Sequence, residues 1–345
     1  MLRSIWLTYR LHRFEILLSA LLVLLLAIGV WLISKQMTDL NISSTCWPRN
    51  ENGDYASPLC DALMQRFYEA ADSASYPRIG LAVLPPLVGL FLGVPIVARE
   101  IELRTTDLAW SLALRRSRWL LTRVLPMLAF ALIALVILGF VGSTFFDALA
   151  VGRSTPDLTE VASQGPALVA RGFMALGIAL LVGALVGRTM PALLVAAILV
   201  LLWSVLAMPT IQGKVARPYA VWVSQNDQQW RNDAGPIAYL DGGNFDPATP
   251  GVPGEPGLRL ETDDQLQALG LKVCGPFPQT AADDSPQANA WSDCQQRFYN
   301  EHEWSLAVPA SAYPVFQNTE TILGFTIGGV ALLLTFPVVA RRRPG

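Results

Sequence analysis

The sequence predicts an all-α polytopic membrane protein with six transmembrane helices and a large external loop domain between the fifth and the sixth. Three observations carry that prediction. Of 345 residues, 52% are hydrophobic and 15% are charged, whereas a soluble domain carries about a quarter charged residues. Six windows are apolar for about 20 residues each, the length that crosses ~30 Å of hydrocarbon. Arginine and lysine gather between alternate windows, the sidedness that fixes topology.

The six windows are residues 14–34, 79–98, 121–144, 166–187, 189–209 and 321–340. The first is longer than the roughly 7–15 apolar residues of a signal-peptide core and has no clean A-x-A site after it, so it is kept as a span. With the N-terminus inside, the cytoplasmic pieces are 1–13, 99–120, the turn at Arg188, and 341–345. Together with Arg123 at a span mouth they hold 13 of the 25 basic residues. Both termini are therefore expected in the cytoplasm of a multi-pass plasma-membrane protein. The segments follow in order: an amphipathic N-terminal piece (1–13), spans one and two with an external loop at 35–78 (14–98), a charged loop (99–120), spans three to five (121–209), the external domain (210–318), the sixth span and the tail. Trp6, Arg115, Arg116, Arg118 and Trp119 suit the inner headgroup layer, where aromatic and basic side chains anchor helices.

All four cysteines fall on the predicted outer side. Cys46 and Cys60 lie in the first external loop, and Cys274 and Cys294 lie in the last. Two local disulfides in an oxidising compartment are the expected outcome. In the first loop, Leu59, Leu63, Met64, Phe67 and Tyr68 recur at helical spacing and predict an amphipathic helix on the outer rim. The last loop is too long to be a bare connection. Its tryptophans, tyrosines and disulfide predict a compact cap, with the Gly- and Pro-rich stretch 241–257 as an exposed loop. Gly187-Arg188-Thr189 joins spans four and five in a tight hairpin. Gly177, Gly183 and Gly187 along the fourth span suit close helix contact.

The chemistry of common enzymes is missing. There is no phosphate-binding GxxxxGK[ST], no HExxH, no GxSxG and no dinucleotide fingerprint. The net charge of −2 supplies no basic field for nucleic acid. His12 sits among arginines at the inner interface, and His302 is expected on a solvated face. Glu15, Arg123 and Arg171 lie near span ends, and the spans hold almost no other ionisable group. Ion-coupled transport normally needs such groups at mid-membrane, so the energy for any transport is expected from elsewhere.

The segment Gly93-Val94-Pro95-Ile96-Val97-Ala98-Arg99-Glu100-Ile101-Glu102 resembles the end of the second span in type-2 ABC transporter permeases. There a Gly-x-Pro precedes Ala-Arg-Glu-x-Glu and a Gly-Thr pair; here the pair is Arg104-Thr105. The N-terminal IWLTYRLHRFE and the C-terminal Tyr313-Pro314 with Phe316-Gln317-Asn318-Thr319-Glu320 are similar to actinobacterial members of that family. The resemblance implies that 99–120 is a coupling loop whose Arg99, Glu100, Glu102, Arg104 and Asp107 serve a separate nucleotide-binding ATPase subunit. It implies no cofactor on this chain, with ATP and Mg on the partner, and no catalysis by this chain. It also implies pairing with a second permease, as homodimer or heterodimer, within membrane lipid.

The function expected is thus the membrane subunit of an ABC exporter for an amphipathic cargo such as a drug, lipid or peptide. One alternative is a membrane-anchored sensor or immunity protein with 210–318 as a ligand-binding ectodomain. Another is a polytopic enzyme using Asp241, Asp246, Asp263 or Asp264, although no base or nucleophile stands at fixed spacing from them.

Overall fold

The computed structural model describes residues 2–42, 46, 57–103, 116–150, 158–224, 238–246, 256–260, 263–277 and 285–341. The chain divides into two compact units: Met1–Ile211 with Pro314–Gly345, and Gln212–Tyr313.

The first unit is a helix bundle. Helix α1 (Leu2–Asp39) leaves helical geometry once, at His12 (φ −111°, ψ 19°). It stops near Asn41, whose φ of 44° is the left-handed conformation that ends helices. Helix α2 (Pro58–Ser73) starts on Ser57, whose side chain accepts a hydrogen bond from the Cys60 amide at 3.2 Å. Pro58 fits the first turn because its missing N–H would have no partner there. The helix expected in the first loop is present, but its buried stripe is Cys60, Met64, Phe67 and Ala70. Leu59 and Tyr68, expected on that stripe, are exposed. The bond between Cys46 and Cys60 explains the rotation, since it holds Cys60 on the covered face.

Ala74 alone separates α2 from α3 (Ser75–Glu102). Next come α4 (Arg116–Ala150), a 3-10 segment Leu158–Ser163, and α5 (Gly165–Val186). The hairpin after α5 turns on Gly187, whose φ is 67° and whose amide bonds to Gly183. Helix α6 (Thr189–Leu202) then widens into a π-turn at Trp203–Ala207 before α7 (Met208–Ala216). Pro209 accounts for that turn: it cannot donate to the Val205 carbonyl, and its ring would clash there. The last helix of the chain, α10 (Tyr313–Arg341), completes six candidate spans: His12–Asp39, Pro58–Glu102, Trp119–Ala150, Gly165–Val186, Thr189–Tyr219 and Ala310–Arg341.

The most enclosed spans are the ones containing α3 and α5. Small residues bring them together: Gly89 and Gly93 face the α5 backbone around Gly172 and Leu176, leaving no room for a Cβ. On another side, Gly177 meets Gly328 and Ala170 meets Gly324, seating α10 on α5. In lipid, helices gain little from apolar burial against each other, so close backbone approach carries the association. The glycines expected to serve contact in the fourth span divide their roles: Gly177 and Gly183 pack, while Gly187 turns the chain. Inside this bundle Arg171 of α5 and Glu320 of α10 form an ion pair at 2.8 Å, with side chains only 15% and 5% exposed.

The second unit corrects the all-α expectation for this part of the chain. It carries a four-stranded antiparallel sheet in the order β1-β4-β2-β3, from β1 (Val221–Ser224), β2 (Ala238–Asp246), β3 (Leu258–Leu260) and β4 (Glu303–Val308). Asn244 pairs with Glu303 on one side and Leu260 on the other. The stretch expected as exposed loop therefore begins as strand, with a register shift between Tyr239 and Asp241. Glycine and asparagine there give no alternating pattern to read; pairing on both sides holds them extended. Helices α8 (Asp263–Cys274) and α9 (Pro286–His302) are joined by the Cys274–Cys294 bond. Trp291 donates to the Gly275 carbonyl at 3.0 Å and packs edge-on to Phe277. His302 is not solvated: it is 8% exposed, stacks on Phe298, and has Nδ1 2.8 Å from the Phe298 carbonyl. Alkylation under denaturing conditions without reductant is expected to label none of the four cysteines. Breaking either bond is expected to cost its loop about 3 kcal/mol, and mass spectrometry of the alkylated peptides checks the pairing.

Candidate functional site

Near the end of α3 that leads into the charged loop, three ionic side chains bind three different helices. Arg99 donates to Glu15 of α1 at 2.8 Å. Glu100 faces Arg123 of α4 at 3.2 Å. Glu102 accepts two hydrogen bonds from Thr189 at the start of α6, 2.9 Å from the amide and 2.8 Å from the hydroxyl.

Helical geometry produces this fan. Residues 99, 100 and 102 step about 100° per position around the axis, so their side chains leave α3 in three directions. Glu100 lies one turn beyond Ile96 and Val97, both fully buried, and follows them inward. Its side chain is 10% exposed, against 15% for Arg123; a carboxylate at this depth needs such a partner. Glu102 sits at a helix N-terminus, where the first amides lack intrahelical acceptors and the dipole favours an anion. His12, 2% exposed, lies within electrostatic reach of Glu15, Arg99 and Arg123 at the kink in α1.

Several sequence-predicted residues sit otherwise than expected. Glu100, expected to offer its charge outward, turns into the bundle. Trp119, expected at the headgroups, is 4% exposed and belongs to the core with Leu120 and Val124. It sits in the first turn of α4, and α4 packs against α1. Arg116, Arg118 and Trp6 lie on helical backbone, with their side chains outside the described residues; Arg104, Asp107 and Arg115 lie outside altogether. The sequence does not mark Glu15, Arg123 or Thr189 as part of this site. The signal for the first two was present, since each is a lone ionisable group at a span end; Thr189 had none beyond its place after the hairpin.

No group of three or more His, Cys, Asp or Glu that could hold a metal occurs among the described residues. Asp241 and Asp246 belong to β2, and Asp263 and Asp264 open α8.

A family model described as "ABC-2 membrane transporter related" matches residues 16–212, more than half of the chain. No curated protein and no solved structure matches it.

Proposed function

The chain belongs to the ABC-2 membrane transporter related family, the type-2 ABC transporter permeases, and is a membrane transporter subunit; from that premise we propose that it is the pathway-forming subunit of an ABC exporter driven by a separate ATPase subunit. The charged loop 99–120 is the docking segment for that ATPase. Two permeases, alike or different, enclose the path, both termini face the cytoplasm, and Gln212–Tyr313 faces outward. The arginine-rich short segments support this orientation, and the disulfides support an oxidising location for the second unit.

The observation that carries the proposal is the fan at the end of α3. A force on the loop meets Arg99, Glu100 and Glu102 first, and direct contacts pass it to α1, α4 and α6. A loop that only anchored the chain would need cationic side chains, not two acids bonded to other spans. Export and an amphipathic cargo rest on family analogy, not on particular residues of the bundle.

The test begins with a mild-detergent pull-down of the full chain from its native membrane. Recovery of a nucleotide-binding subunit is expected. Its absence would move the reading to a membrane-anchored sensor. In the recovered complex, Glu102→Ala is expected to leave insertion intact and lower transport-linked ATPase activity by about ten-fold or more, a ~1.4 kcal/mol effect or larger. Unchanged activity would remove Glu102 from the coupling route.

A further inference from the structure

Between α1 and α3 runs a narrow crevice of about 140 Å³, lined by Leu18, Leu22, Leu84, Leu87 and Phe91 among others. Glu15 stands at one end. From Glu15 to Leu22 the crevice follows α1 for roughly 10 Å at 1.5 Å per residue. Leu18, Leu22, Leu87 and Phe91 are all exposed on the bundle surface, so in a bilayer the crevice opens to lipid.

Its polar end is incompletely bonded. Glu15 gives Oε1 to Arg99, while Oε2 is buried and has no hydrogen-bond partner among the described residues. A buried carboxylate oxygen without a donor is costly. Arg99 uses one nitrogen for Glu15, and its side chain is 49% exposed, which leaves guanidinium surface open beside the crevice. At the end of the crevice a carboxylate oxygen that lacks a donor thus lies beside a half-exposed guanidinium, above a slot for hydrocarbon.

We propose that this crevice binds a phospholipid whose headgroup carries a hydrogen-bond donor in addition to its phosphate. The acyl chain lies along Leu18, Leu22 and Leu87. The phosphate takes Arg99, for which guanidinium geometry is well matched. The Glu15 side chain turns Oε2 toward the crevice, and a headgroup ammonium or hydroxyl donates to it. Phosphatidylethanolamine and phosphatidylglycerol satisfy all three; phosphatidylcholine has no donor and leaves Glu15 as it is. The proposal requires that α1 and α3 cross a bilayer and does not require that an ATPase binds.

The test uses the full chain reconstituted in nanodiscs with equal amounts of phosphatidylcholine, phosphatidylethanolamine and phosphatidylglycerol. The protein is then re-extracted, and its retained lipid is counted by native mass spectrometry. One extra hydrogen bond predicts about five-fold enrichment of either donor-bearing lipid over phosphatidylcholine. Leu87→Trp fills the crevice from its exposed side without touching the charged pair and is expected to return retention to the bulk ratio. Phe140→Trp, at an exposed position on α4, is expected to leave the enrichment intact. Equal retention of the three lipids would overturn the proposal, as would enrichment that persists in Leu87→Trp or disappears equally in Phe140→Trp.

Discussion

Replacing Gly177 by valine is expected to lower the melting temperature of the detergent-solubilised protein by roughly 6–12 °C. A Cβ on Gly177 would collide with the backbone of Gly328, coming within 2.8 Å of its Cα. A flexible side chain could swing aside, but two helix backbones cannot. Overpacking costs ~1–3 kcal/mol where side chains can adjust, and here the upper end applies because α5 and α10 must separate. At ~2–4 °C per kcal/mol for a unit of this size, the shift follows. At Gly329, next to Gly328, a Cβ would meet nothing within 4 Å; Gly329→Val is expected to melt with the wild type. A Gly177→Val protein that also melts with the wild type would show that these two helices do not meet at Gly177.

The second large effect concerns Arg171 and Glu320. Removing either partner alone is expected to destabilise the bundle by about 3–5 kcal/mol, because the remaining charge stays buried without its counterion. Glu320 Oε2 already has no hydrogen-bond partner among the described residues, so nothing nearby takes over from Arg171. The double replacement Arg171→Met/Glu320→Leu is expected to recover most of the loss, since apolar side chains of similar volume suit this position. Melting temperatures and purification yields of the two single variants and the double variant give the cycle. Additive losses would mean that the two side chains act independently, and the 2.8 Å pair would then contribute no coupling.

The same glycine and the same arginine mark how differently features show in sequence. Gly177 is visible as one of a set of small residues along an apolar helix, and contact is the expected use. Its partner Gly328 is not, because nothing local in TIGGVALLL distinguishes Gly328, against a backbone, from Gly329, in open space. Arg171 and Glu320 are each visible as a charge near a span end, yet 149 positions separate them, and only packing brings them together. At the candidate site, Arg99, Glu100 and Glu102 are singled out by a family-like motif. The directions in which they point are not legible, because that depends on where α3 stops being helical and on which helix lies beside each face. Trp119 is the reverse case: a residue type that suits the headgroups, buried with Leu120 and Val124 in a core to which both α4 and α1 contribute.

Composition along a single helix is enough to place the candidate spans, the tight hairpin at Gly187 and the helix in the first loop, and the positions of the cysteines are enough to pair them locally. Bilayer thickness and helical period act on consecutive residues, so these are local properties. Packing settles which small residues face a backbone, which charges meet, that residues 241–246 pair as a strand, and that a crevice stays open beside Glu15. Each of those depends on a neighbour distant in the chain. A helix in lipid presents much the same apolar pattern on every side, so the sequence alone leaves the choice of neighbour open.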